Sequence, residues 1–258
     1  MLSEPDSSWV SRLCPSPNHG ERKGGCGIDM LVLHYTGCPS CESALLWMLS
    51  PDAEVSAHYL VDEDGEIIQL VAEERRAWHA GLSCWDGETD VNSRSIGIEI
   101  QNAGHLEDPP PPYPEKQIAA VIALVEDIVR RHDIAPWRVV GHSDIAPDRK
   151  ADPGEHFPWD CLGEAGLCLH VPSAPLNLPG EMLKPGDSGP GVRALQRDLA
   201  RLGYGLAETG DYDETTWAVV RAFQRRFRPA RIDGLADPST RETLNRALSR
   251  LASMRRVW

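Results

Sequence analysis

Three side chains set the chemical question: His34, His142 and Asp152 are of the types that hold a divalent ion, and each histidine stands at the end of a short apolar run. The stretch from Gly141 to Gly154 crowds an imidazole, the cation of Lys150 and the carboxylate of Asp152 into one polar loop. Asp152 precedes Pro153, which biases its backbone towards extended geometry and gives its carboxylate a fixed direction. A single histidine at a strand end also serves as a hydrogen-bonded structural residue, so the crowding, rather than either imidazole alone, argues for a metal. Two neutral imidazoles and one carboxylate would leave a zinc ion with net positive charge and a fourth position for water. Such an ion brings the pKa of its water to about 7, which supplies a nucleophile without a covalent intermediate. Amide hydrolysis then needs a proton carrier between water and leaving amine, and a positive group where oxyanion charge develops. Glu99 and Lys150 fit those two roles, and Glu99 lies in an otherwise apolar segment where an unpaired charge is costly.

The elements that must position these residues follow from periodicity. Ile28 to Tyr35 is a nearly continuous apolar run, as in a strand covered on both faces, with His34 near its end. Cys41 to Leu49 predicts a helix, and Ser56 to Val71 a hairpin that turns at Asp64-Gly65. Ser95 to Gln101 predicts a strand with Ile96, Ile98 and Ile100 on one face and Gly97 and Glu99 on the other. Glu115 to His132 predicts a long amphipathic helix that turns Ile118, Ile122, Val125 and Val129 to the sheet. A strand over Arg138 to Val140 then leads into Gly141-His142. The expected fold is α/β, a mixed central sheet flanked by helices, with the loops at strand ends free for chemistry. Pro109 to Pro112, with Pro114, reads as a stiff connector without a function of its own.

This first domain is expected to span residues 1–170, followed by a proline-rich linker over 171–183 and a small three-helix domain over 184–258. Val192, Leu195, Leu199 and Leu202 mark its first helix, Trp217, Val220, Phe223 and Phe227 the second, and Leu244, Leu248 and Leu251 the third. An internal echo supports it: Gly210, Asp213 and Thr216 recur as Gly234, Asp237 and Thr240, each Asp placed to cap the helix that follows.

Composition narrows the classes. With 41% hydrophobic and 25% charged residues the chain can bury a core. A formal charge of -13 argues against nucleic acid as a partner, since phosphate binding needs an excess of Lys and Arg. No stretch is long enough to span a bilayer. Met1 to Arg12 contains Glu4 and Asp6 and lacks the cationic-then-apolar pattern of a secretory leader, so a cytoplasmic compartment is expected, the periplasm being the alternative if a leader has been removed. Seven cysteines (Cys14, Cys26, Cys38, Cys41, Cys84, Cys161 and Cys168) show no disulfide-scaffold spacing, and a monomer is expected.

Residues 28 to 160 resemble the AmpD-like N-acetylmuramoyl-L-alanine amidases of the amidase-2 family. The resemblance is carried by Leu33-His34-Tyr35-Thr36, Val55-Ser56-Ala57-His58-Tyr59, Trp78-His79-Ala80-Gly81, Ser95-Ile96-Gly97-Ile98-Glu99 and the His142 to Gly154 stretch. It implies zinc on His34, His142 and Asp152, assistance from Glu99 and Lys150, and a muropeptide cleft lined by Trp78, His79 and Asn92. His58 falls in a family block as a packing or supporting residue. Residues 184 to 250 resemble the type 1 peptidoglycan-binding module through Gly186-Asp187-Ser188-Gly189, Val192-Arg193-Ala194-Leu195-Gln196, Ala222-Phe223-Gln224 and Asp233-Gly234. Both halves imply the same partner, peptidoglycan fragments or the sacculus. The module is equally suited to packing on the catalytic unit and shaping its cleft.

Two other readings compete. Cys38-Pro39-Ser40-Cys41, between a strand and a helix, is also the context of a thiol oxidoreductase motif, but that reading explains nothing of the His142 to Asp152 loop. A non-catalytic peptidoglycan receptor is the other, and the full set of expected ligands argues against it.

Overall fold

Alternation along two adjacent strands builds the centre of the molecule, which is described by a computed structural model over residues 2–25 and 27–258; Met1 and Cys26 lie outside the described residues. In chain order the elements are β1 (Arg12–Leu13), β2 (His19–Glu21), β3 (Met30–Tyr35), α1 (Cys41–Leu49), β4 (Tyr59–Val61), β5 (Ile67–Gln69), β6 (Arg75–Ala77), α2 (Val91–Arg94), β7 (Ser95–Ile100), α3 (Glu115–His132), β8 (Val139–Gly141), α4 (His142–Ile145), α5 (Trp159–Glu164), α6 (Pro190–Leu202), α7 (Glu214–Phe227) and α8 (Pro238–Met254). The main sheet runs β1-β5-β4-β7-β3-β8 and is parallel except for the β4–β5 hairpin, while β2 and β6 form a separate antiparallel pair. The expected mixed sheet flanked by helices is what forms. β3 and β7 pair in parallel with His34 opposite Glu99, so the register itself puts a ligand type beside a carboxylate.

Each face of this sheet has its own cover. Leu31, Leu33, Ile96, Ile98 and Ile100 pack on one side against Val121, Leu124, Val125 and Ile128 of α3. The buried stripe of α3 is rotated from the expected one: Ile122 and Val129 are only partly buried, and Val121 and Ile128 complete the contact. Apolar residues at all these positions made the helix legible but left its exact rotation to the twisted sheet. Met30, Val32 and Val140, on the opposite side, share one apolar cluster with Val192, Leu195 and Leu199 of α6 and Val219, Phe223 and Phe227 of α7. The C-terminal helices therefore cover the second face of the sheet. β8 begins one residue later than expected because Arg138 closes a 3-10 turn and turns its guanidinium back to the Asp29 carbonyl at 2.9 Å.

Within the helical unit the internal echo is structural. Asp213 and Asp237 accept from the main-chain N–H of Thr216 and Thr240 at 2.8 and 2.7 Å, capping α7 and α8. Gln196 and Gln224 extend it: each accepts at 2.8 Å from the glycine N–H of its own repeat, Gly210 or Gly234, and donates to that repeat's threonine. The proline-rich stretch before α6 is tied down at Ala174, whose N–H donates to Thr243 and whose carbonyl accepts from Ser239. Among the described residues no helix is long and apolar enough to cross a membrane.

Candidate metal centre

His34 comes from the end of β3, His142 opens α4 directly after β8, and Asp152 lies in the following loop, whose carbonyl at Asp152 accepts from the Ser143 N–H at 2.8 Å. Their ligand atoms converge. His34 Nδ1, His142 Nδ1 and Asp152 Oδ2 are each 2.9 Å from the other two, and all three residues are buried.

The outer nitrogens decide whether this set suits a cation. Ser95 Oγ donates to the Val91 carbonyl at 2.7 Å, so it accepts from His79 Nε2–H at 3.2 Å. Burial, with the neighbouring His34 and His58, pushes the His79 pKa well down, which keeps it neutral and leaves its Nδ1 as an acceptor. That Nδ1 takes the Nε2–H of His34 at 3.0 Å, and His34 Nδ1 is left bare. Burial, with the charge of His142, pushes the His34 pKa down to about 4, in agreement. His142 Nε2–H donates to the Ala80 carbonyl at 3.2 Å, so its Nδ1 is bare as well. For Asp152, burial alone would raise the carboxyl, but the facing His142 and His34 more than offset this and keep it ionised, well below the usual carboxylate range. Three lone-pair atoms thus face one point with no proton among them, an arrangement that a divalent cation satisfies.

Glu99 stands beside this point. Its Oε2 is withdrawn from solvent and has no hydrogen-bond partner among the described residues. Burial, then the charge of Asp152, drives its pKa well above the usual value against the opposing charge of Lys150. Such a carboxyl is a poised proton carrier. Lys150, His79, His142 and Asp152 share with it a cleft of about 230 Å³ whose walls include Tyr35, Thr36, Trp47, Val55 and Trp78.

Of the other expected cleft residues, His79 is on the wall and Asn92 is not. Asn92 does not line the cleft; its Oδ1 accepts from the N–H groups of His79 and Ala80 at 3.0 and 2.8 Å and fixes the turn that carries them. His79 does reach the cleft wall, but its two ring nitrogens are committed to His34 and Ser95, so it orients a ligand. A Cβ on Gly97 would meet the His79 ring at 2.5 Å, which is why this strand carries glycine there. His58 is a buried support: its Nδ1 accepts from Gly97 N–H at 3.0 Å and its Nε2 meets the Arg75 carbonyl at 3.1 Å.

Residues the sequence reading missed are Ser95, legible only as the third member of the Gly97 and Glu99 face, and Trp47, an aromatic of α1 that is 60% exposed at the cleft rim. The cysteine pair is not placed where a thiolate is favoured. Burial pushes the Cys38 thiol up and that of Cys41 up to about 12, whereas a reactive pair needs a lowered value.

Comparison with known proteins gives two family matches. The family model described as N-acetylmuramoyl-L-alanine amidase matches residues 24–155, and a peptidoglycan-binding-domain model matches residues 188–244. The N-acetylmuramoyl-L-alanine amidase AmiD of Escherichia coli is 39% identical over 227 residues, 83% of this chain and 79% of that protein. Its structure in complex with the substrate anhydro-N-acetylmuramic acid-L-Ala-D-γ-Glu-L-Lys has a TM-score of 0.73 at 34% identity, covering 90% of this chain and 97% of that one. AmpDh3 of Pseudomonas aeruginosa has a TM-score of 0.72 at 33% identity over 98% of this chain and 100% of its own.

Proposed function

The chain belongs to the N-acetylmuramoyl-L-alanine amidase family, and from that premise we propose that it is a zinc enzyme, with His34 Nδ1, His142 Nδ1 and Asp152 Oδ2 holding the ion. The bond cut joins N-acetylmuramic acid, or its 1,6-anhydro form, to the L-alanine of a stem peptide. When bound, zinc supplies Lewis acidity towards the scissile carbonyl and towards water. Glu99 takes a proton from the attacking water and returns it to the leaving L-alanine amine, a task its raised pKa suits. Lys150, on the same cleft wall, meets the negative charge that develops on the carbonyl oxygen. Trp78 and Trp47 offer flat apolar surface to the muropeptide beside the ion.

The observation that carries this reading is the convergence of three proton-free ligand atoms next to a carboxyl with one unpartnered buried oxygen. A receptor that only bound peptidoglycan would have no use for either. Incubation of the protein with anhydro-muropeptide should release the stem peptide; a chelator should stop release and zinc should restore it. Cleavage persisting in a rigorously metal-free sample sinks the zinc mechanism, and binding without release returns the receptor. We place the reaction in muropeptide recycling in the cytoplasm, a compartment that suits the free thiols of Cys14, Cys38, Cys41, Cys84, Cys161 and Cys168, and cell fractionation tests it.

A further inference from the structure

Arg225 and Arg226, neighbours on α7, both reach out of the helical unit into the loops that frame the metal centre. Arg226 is buried; its Nη1 donates to Asp144 Oδ2 at 2.6 Å and its Nη2 to the carbonyls of Val139 and Leu169 at 3.1 and 3.2 Å. Its guanidinium also lies 4.1 Å over the ring of Trp159. The other oxygen of Asp144 accepts from the hydroxyl of Tyr204, just past α6, at 2.8 Å. Both charged and polar partners from the helical unit therefore meet on one fully buried carboxylate.

What Asp144 does with its remaining capacity ties this contact to catalysis. Its Oδ2 accepts from Gly141 N–H at 2.8 Å, so residues 141 and 144 are bridged across the first turn of α4 with His142 between them. The same turn holds the second ligand, because the Ser143 N–H donates to the Asp152 carbonyl and Gly141 packs so closely that an added Cβ would meet Pro153 at 2.7 Å. Without the guanidinium, the carboxylate would sit in an apolar interface with its charge uncompensated and would be driven to turn outwards, releasing Gly141. Arg225 makes a looser second link: its Nε lies 3.5 Å from Glu155, which holds His105, whose Nδ1 meets the hydroxyl of the cleft residue Tyr35 at 3.0 Å.

We propose that Arg226 and Tyr204 are positioning residues for the metal centre, acting through Asp144 on the turn that presents His142 and anchors Asp152. The C-terminal unit is then part of the catalytic apparatus for soluble substrate, whatever it does on the cell wall. The proposal rests on the zinc-amidase reading above.

The test uses the full chain and soluble anhydro-muropeptide, so that adsorption to the sacculus plays no part. Arg226→Met keeps the packing over Trp159 and removes the charge, Tyr204→Phe removes one hydroxyl, and Arg226→Lys restores a cation. Leu244→Ala, inside the helical unit and away from Asp144, destabilises without touching the link. Zinc affinity is read by competition with a chromophoric chelator, beside kcat, KM and thermal unfolding. Arg226→Met and Tyr204→Phe should weaken zinc binding by about 10-fold or more and lower kcat with KM nearly unchanged, as loss of support behind a ligand does. Arg226→Lys should recover part of both, and Leu244→Ala should lose stability alone. Folded Arg226→Met and Tyr204→Phe proteins with wild-type zinc affinity would overturn the proposal, as would an equal loss in Leu244→Ala. Failure of the wild-type protein to release peptide would instead strike the amidase reading, and the zinc titrations would still decide the positioning claim.

Discussion

Two clusters of buried charge sit on this sheet and are finished differently. At the rear, Glu73 accepts from Tyr59 at 2.6 Å, from Arg131 Nη2 at 2.8 Å and from His132 at 2.6 Å, and Arg131 also donates to Asp127 at 2.9 Å. Both Glu73 oxygens have donors, and although burial alone would raise the Glu73 pKa, these bonds bring it down to about 2. At the front, Glu99 has a buried oxygen with no partner and a pKa driven upwards, beside three bare ligand atoms. Unsatisfied buried groups cost about 1–3 kcal/mol each, so one retained in a cleft marks the place where stability has been given up for chemistry. The rear cluster also combines Glu, Asp and His with a cation but leaves no Glu73 oxygen unpaired, which is why residue type alone does not distinguish a salt-bridge network from a reactive site.

The sharpest way to break this contrast is at Glu99. Glu99→Gln should lower kcat by about 10²–10⁴-fold while leaving bound zinc unchanged. It should not cost stability at neutral pH: a carboxyl whose folded pKa is raised loses stability as pH climbs from its unfolded value through its folded one, and the amide removes that loss. A melting temperature several degrees lower at pH 8, or an unchanged kcat, would remove Glu99 from its role. Glu73→Gln should do the opposite, leaving kcat alone and destabilising the fold by about 3 kcal/mol. Because its folded pKa is depressed to about 2, its stabilisation is complete above the unfolded value near 4.5 and drains away as pH falls towards 2. Chemical unfolding of the variant should therefore show a flatter pH dependence between 5 and 2, and an unaltered slope would deny the rear cluster its structural part. Ser95→Ala is the mildest change. It removes the acceptor that keeps His79 in one tautomer and should weaken zinc by about 10-fold with little change in melting temperature. Unchanged zinc affinity would show that the His34–His79–Ser95 chain does not order the ligand.

Local signals carried much of the architecture. Period-two alternation read the faces of β7 correctly, putting Glu99 and Gly97 away from the isoleucines, and two imidazoles at strand ends with a carboxylate in the loop after the second made candidate ligands visible. His79, in one block with Trp78, does reach the cleft wall, whereas Asn92, expected there from the family resemblance, turns to the main chain that it caps, and the direction of a loop side chain depends on such partners. Such directions have no periodicity to reveal them.

Sequence alone determined the strand faces and the capped helices α7 and α8, because each depends on spacing within a few residues, whereas His34, 108 and 118 residues from His142 and Asp152, joined them only through the family blocks that carry all three. Tertiary structure decided the proton order around His34, the lone oxygen of Glu99 and the union of Asp144 with Tyr204 and Arg226, separations of 60 and 82 residues. These are properties of contact and desolvation between distant segments, and no local pattern encodes which buried donor will face which acceptor once two faces of a sheet are covered.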